Sequence, residues 1–411
     1  MRRVKSRIEI PNKRRLGLIA LSLIILGIFL LVGCVTQKEN LLILNEKGIE
    51  LGKQGKFSES LEYFDKAIAI DPNFALTWSN KGTTLLAQGK FSEAIECFDK
   101  AIAIDPNLAR AWGNKGFALA NQGKFSEAIE CYDKVIALDP NNALAWNNKG
   151  VALYYQGKFS EAIECYDKAI TLDPNFAEVW IYKGNALTDH GKYSEAIECY
   201  DKVITIDPNN VLVWYNKGVA LYEKGKYSEA VECFDKAIAL DPNFVEAWAY
   251  KGGIEYDFGK YPEAITCYDK AIELNPNYAL AWSNKGWALG QQGKYSEALE
   301  CFDKAITLDP NFAEPWRYKG AVLASMEKYS EAIECFDKAI EIDPNFAEAW
   351  NNKGWALGIL ENYHEAVECF DKAIEIDPNN ADAWNGKGLA LEILGKNIEA
   401  QECLDKAEEL R

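Results

Sequence analysis

Apolar positions along this chain recur with two periods at once. The shorter one is helical. In residues 75–108 (ALTWSNKGTTLLAQGKFSEAIECFDKAIAIDPNL), Trp78, Gly82, Leu85 and Leu86 share one face of a first helix. Ala94, Ile95, Phe98, Ala101 and Ile102 share one face of a second helix. Gly89 separates the two, since glycine accepts the left-handed conformation common just past a helix end. Phe91 and Ser92 open the second helix, and the serine is expected to cap its exposed amides. Glu96 and Lys100, four apart on the polar side, are expected to pair for only about 0.2–0.5 kcal/mol. Asp105-Pro106-Asn107 ends the unit, because proline cannot continue the hydrogen-bond ladder.

The longer period is 34 residues. Tryptophan stands at 78, 112, 146, 180, 214, 248, 282, 316, 350 and 384, with Leu44 in that place one period earlier, and glycine follows four residues later from Gly48 to Gly388. Gly82, Ala94 and Ala101 are small where helices approach, while Trp78 and Phe98 fill the remaining space. A 34-residue unit with this spacing resembles the tetratricopeptide repeat. The resemblance covers about nine tenths of the chain and implies an all-α fold, a right-handed superhelical solenoid of eleven helix-turn-helix repeats. The units are 41–74, 75–108, 109–142, 143–176, 177–210, 211–244, 245–278, 279–312, 313–346, 347–380 and 381–411.

Three departures from the family's pattern shape further expectations. The residue before the glycine is lysine throughout, from Lys47, Lys81 and Lys115 to Lys387; its stem can lie along the helix interface while the ammonium reaches water. Glu327 and Glu361 replace the turn glycine, so those turns must change conformation or accept strain, and irregularity is expected near residues 325–363. In the last unit Gln401 replaces the usual Ile or Val and Glu408 replaces Ile, a polar face expected to cap the stack.

Ahead of the repeats, a basic stretch ends at Arg15, and LGLIALSLIILGIFLLVGCV follows from Leu16 to Val35 without a charge. That run is long for a secretory leader and long enough to cross a bilayer. Its end, Leu31-Val32-Gly33-Cys34, resembles the lipobox of bacterial lipoproteins, which implies that Cys34 is lipidated and that residues 1–34 are a signal, with 35–40 a spacer. A retained transmembrane helix is the other reading. Under either one the basic flank keeps the N-terminus cytoplasmic and puts the repeats outside, membrane-anchored at their N-terminal end.

Charge narrows the partners. Residues 1–33 carry seven Lys and Arg against Glu9, a balance of +6, so the remainder carries −23 of the total −17. Such a body repels nucleic-acid backbones. The cysteines after Cys34 occur once per repeat, from Cys97 to Cys403. Neighbours about 8–10 Å apart are too distant for disulfides, and each is expected to be a small apolar residue beside the second-helix aromatic. Thiols of this number outside the cytoplasm suit a reducing or anoxic habitat. His190 and His364 are isolated, which leaves no metal set, and no phosphate loop, nucleophile elbow or HExxH occurs. The expectation is a binding protein without cofactor, not an enzyme.

The family resemblance implies that first helices line a concave groove. Two residues after the tryptophan stand Asn80, Asn114, Asn148, Asn216, Asn284 and Asn352, interrupted by Tyr182, Tyr250 and Tyr318. An amide side chain both donates and accepts, so such a ladder can read the backbone of an extended peptide whatever its sequence. Nearby positions that escape the repeat hold Phe117, Tyr154, Tyr155, Tyr215, Tyr222, Tyr256, Trp287 and Trp355. Aromatics there either anchor a ligand or pack between neighbouring first helices. The expected function is an extracytoplasmic scaffold binding a protein or peptide between residues 80 and 355. A surface protein binding solutes or glycans by aromatic stacking, and a self-associating array, are the alternative readings.

Overall fold

The computed structural model describes residues 37–411; Cys34 and the apolar run ending at Val35 lie outside them. Among the described residues every regular element is a helix. The helices come in eleven pairs, beginning with 37–53 and Phe57–Ile70, then Ala75–Ala87 and Phe91–Ile104, and ending with Ala381–Ile393 and Asn397–Glu409. The pairs fall into two compact units, one ending at Ile206 and the other running Asp207–Arg411. Each is an all-α solenoid of stacked helix hairpins. No helix of the described residues is long and apolar enough to cross a membrane.

One close approach sets each hairpin. A Cβ built on Gly82 would stand 2.6 Å from the Phe98 ring, and the same clash recurs from Gly48 against Phe64 to Gly354 against Phe370. Phe98 is fully buried with Ala94 and Ala101. Its cluster also takes in Ala111 from the following repeat and Leu61 from the preceding one. The hairpin turn follows from Gly89, whose φ is +73°. Gly89 N–H donates to Leu86 (2.9 Å) and Lys90 N–H to Leu85 (3.0 Å), satisfying carbonyls at the helix end.

Three expectations need correction. Glu327 and Glu361 cause no irregularity. They adopt the glycine conformation, with φ of 62° and 64°, and Lys328 N–H still reaches Leu323 at 2.9 Å. The flanking helices Ala313–Ser325 and Tyr329–Ile342 keep the usual lengths. The strain, about 1–2 kcal/mol for an L-residue, is absorbed because packing on both sides fixes the turn. Ser92 does not cap its helix; Lys90 is the N-cap and makes no side-chain bond. The serine instead accepts from Gln122 Nε2 of the next repeat at 2.9 Å, as Ser126 does from Gln156. Side-chain caps occur at first helices, from Asn142, Asn210 and Asn380. Finally, Lys100 does not pair with Glu96; its ammonium lies 4.3 Å from the Trp78 ring.

The lysine that departs from the family pattern is an inter-repeat link. Lys81, Lys115, Lys149 and Lys183 each meet the aspartate sixteen residues earlier, at 2.5–2.6 Å. Lys251, Lys285, Lys319, Lys353 and Lys387 do the same in the other unit at 2.6 Å. The aspartates are half exposed, so each pair contributes little energy, about 0–1 kcal/mol; what it fixes is register. The tryptophan belongs to the same device. Trp78 Nε1 donates to the Pro72 carbonyl at 2.9 Å, and Asp71 of that Asp-Pro-Asn turn accepts from Asn73 N–H. The bond repeats from Trp112 to Trp384, although Trp316 Nε1 is buried without a partner.

The ten repeat cysteines are buried thiols. Burial pushes the Cys131 thiol up from 9.0 to about 11, and Cys335 likewise. A raised folded value means the folded state holds its proton more tightly, so this stability is complete below pH 9 and is lost as pH rises through about 11. Unfolding free energy should therefore fall across that window in denaturant titrations. At pH 8 the thiols should resist iodoacetamide until the chain is denatured. Two glycines test the packing account. Gly320→Ala, with its Cβ 2.6 Å from the Phe336 ring, should destabilise by about 1–3 kcal/mol. Gly358→Ala meets nothing within 4 Å and should be neutral or stabilise by up to about 1 kcal/mol; chemical denaturation separates the two.

Candidate functional site

The second helices repeat their packing residues almost unchanged, so distinctions between units fall on the first helices. The ladder position there sits over the preceding repeat's second-helix ring. A Cβ on Gly386 would stand 2.5 Å from Phe370; Tyr182 and Tyr250 stack over Tyr166 and Phe234 at 6.3 and 5.5 Å, and Tyr318 lies tilted against Phe302 at 6.1 Å. The tyrosines interrupting the asparagines are thus packing substitutes as well as surface residues.

In the unit ending at Ile206 the asparagines are partly committed within the fold. Asn80 is buried and donates to Asn45 Oδ1 at 3.2 Å. Asn114 Nδ2 donates to Thr83 Oγ1 at 3.1 Å, and Asn148 Oδ1 accepts from Asn147 at 3.2 Å. Asn114 and Asn148 stay half-buried and border two clefts, of about 560 and 490 Å³. The clefts share Phe117, Tyr132, Leu144 and Asn148, which makes them one groove. Phe117 is 47% exposed, Leu144 56% and Tyr155 64%. Tyr155 is held by a parallel stack on Phe125 at 5.3 Å and an edge contact with Tyr154. Tyr154 O–H donates to Asp189; burial, then that carboxylate, pushes its phenol well above the ordinary range. Burial and then Glu178 raise Tyr182 as well. Both phenols stay neutral donors at physiological pH.

In the unit Asp207–Arg411, Asn284 and Asn352 are half-buried, with no hydrogen-bond partner among the described residues, whereas Asn216 is engaged. Tyr222 and Tyr250 join Tyr215 in an edge-on aromatic cluster, at 6.1 Å between the first two and 5.7 Å from Tyr215 to Tyr250. Trp287 stacks on Tyr318 at 4.6 Å, and Arg317 covers the Tyr318 ring at 4.3 Å. Trp355 packs edge-on to Phe370 at 5.6 Å and borders a cleft of about 300 Å³ with Ile359 and Ile393. The packing reading of the groove aromatics is what these contacts show, and the same side chains stay partly exposed.

Sequence reasoning missed four residues of the first groove, namely Arg110, Leu144, Asn147 and Glu178. Asn147 is 3% exposed and its Oδ1 has no partner. Three of the four occupy the second position of a first helix, and their variation from unit to unit was the available signal. Among the described residues no cluster of His, Cys, Asp or Glu could hold a metal. What the groove offers is aromatic faces, half-committed amides and two charges outside any ion pair among the described residues.

A family model described as tetratricopeptide repeat matches residues 42–74, 75–108, 109–142, 143–176, 211–244, 279–312, 313–346 and 347–380. A second, described as TPR repeat, matches 184–225 and 252–293, and a third, again tetratricopeptide repeat, 165–198 and 369–402. No curated protein matches the chain. Among solved structures, yeast Tom70 is similar at 16% identity and a TM-score of 0.50, over 91% of this chain and 93% of that one. The APC/C hetero-tetramer Cut9–Hcn1 is similar at 15% identity and a TM-score of 0.51, over 90% and 93%. These two likenesses are of fold. YrrB, described as a TPR protein with an unusual peptide-binding site, aligns at 26% identity over 46% of this chain and 97% of its own, with a TM-score of 0.41.

Proposed function

This chain belongs to the tetratricopeptide repeat family, and on that basis we propose that it is a scaffold holding a protein or extended peptide on its first-helix faces. The observation that carries the reading is the groove around Phe117, Leu144 and Tyr155. Three large apolar side chains stay exposed there on a frame whose other positions are bound to repetition. Exposed apolar patches bordered by polar groups mark interaction sites. Aromatics suit the task because they bury much area with few torsions lost.

The scaffold is tethered to a membrane by its N-terminal segment, with the repeats outside the cytoplasm. The supporting residues are the basic flank ending at Arg15, the twenty uncharged residues from Leu16, and Leu31-Val32-Gly33-Cys34. Lipidation at Cys34 is the preferred form of the tether. A chemical role is not part of the proposal; the groove brings together no acid, base and nucleophile among the described residues.

One experiment addresses both halves. The full chain, Cys34→Ala and Phe117→Ala/Leu144→Ala/Tyr155→Ala are expressed with a palmitate label, and their partners are captured from membranes by cross-linking. Cys34→Ala should lose the label, and unchanged labelling and processing would remove the lipid tether. The groove variant should keep the label but lose affinity for the partner by about a hundredfold, since three central anchors, each on the order of 1 kcal/mol, sum to about 3 kcal/mol. Undiminished capture would remove the groove.

A further inference from the structure

The second residue of successive first helices in the unit ending at Ile206 reads Leu76, Arg110, Leu144, Glu178. All four are exposed. Arg110, Leu144 and Glu178 border the groove just described, Arg110 toward one end and Glu178 toward the other, with Leu144 shared by both clefts. Arg110 and Glu178 are the only charged side chains lining those two clefts. Neither belongs to an ion pair among the described residues, in a chain whose ladder lysines are systematically paired with aspartates. Arginine is also scarce here: after Arg15 the sequence has only Arg110, Arg317 and Arg411. Leu144 stands in the row between the two charges, Phe117 lines both clefts and Tyr155 lines one.

Spacing converts this into a ligand pattern. Two repeats separate Arg110 from Glu178, about 20 Å at the usual helix-packing distance of about 10 Å. An extended chain advances about 3.3 Å per residue, so about six residues span that gap. We propose that this groove takes an extended peptide segment with one acidic and one basic side chain about six residues apart, bracketing an apolar residue. The acidic group meets Arg110, the apolar one lies against Leu144 and Phe117, which both clefts share, and the basic one meets Glu178. This inference rests on the reading of the groove as a peptide site and adds its charge order. Because the opposite charges stand at opposite ends, a segment with two acids or two bases meets one attraction and one repulsion.

The test uses the purified full chain and three labelled synthetic peptides, each with a central Phe and flanking residues about six apart: Asp with Lys, Asp with Asp, and Lys with Lys. In fluorescence anisotropy at low salt, the Asp/Lys peptide should bind about three- to tenfold tighter than the other two, the range expected from exposed charge pairs. Arg110→Glu should shift the preference to Lys/Lys, and Glu178→Arg should shift it to Asp/Asp. Phe117→Ala/Tyr155→Ala should weaken all three peptides alike. Equal binding of the three by the native chain, or preferences unmoved by both charge reversals, overturns the charge order. If the aromatic variant still weakens binding in that case, the groove reading stands without it. If no peptide responds to the aromatic variant, the groove reading falls as well.

Discussion

The distance between the two helices of a hairpin is fixed by one contact, a glycine in the first helix against an aromatic ring in the second. No side chain fits between Gly82 and Phe98, where even a methyl group would stand 2.6 Å from the ring. With the backbones this close, Ala94 and Ala101 are the sizes that remain, and the ring is sealed from water. The 34-residue period follows, since a longer side chain at any of these places would change the angle at which the next hairpin stacks. Identical packing positions are thus the outcome of one steric requirement applied ten times against an aromatic ring and once, at Gly388, against Leu404.

Stacking adds a second, polar layer. A lysine reaches back to the aspartate of the preceding second helix, as Lys115 does to Asp99 at 2.6 Å, and a tryptophan N–H closes on the Asp-Pro-Asn turn, as in Trp112 to Pro106. Each bond is weak on its own because water reaches the carboxylate. Together they discriminate between registers of stacking, while the buried rings supply most of the free energy. The same redundancy explains how Glu327 and Glu361 sit in left-handed turns without disturbing the helices on either side. A frame fixed by so many equivalent contacts tolerates local strain.

Much of this was legible in the sequence. Tryptophan and glycine at constant intervals located every hairpin, and the thiols fell where the pattern put them, beside the second-helix rings. What escaped was contact between repeats, because periodicity reports which face a residue occupies and not which neighbour it meets. Lys81 read as a snorkelling stem and proved to be half of a bridge to Asp65. Ser92 read as a cap and proved to bond Gln122 of the next unit. The asparagine ladder was only partly what its spacing suggested. Asn80 is buried on Asn45, while Asn114 and Asn148 each keep bonding capacity toward the groove. Arg110 and Glu178 were overlooked because their position carries no packing rule, which is also why it is free to encode recognition.

Second helices build the frame, and the proposed function gives recognition to the first helices. Site-specific photo-cross-linking in native membranes tests that division most directly. A photoreactive residue placed at Tyr155, on the first-helix face, is compared with one at Glu130, exposed on the second helix Phe125–Leu138. The account predicts a partner adduct from position 155 and none from position 130. Adducts from position 130 alone would contradict it.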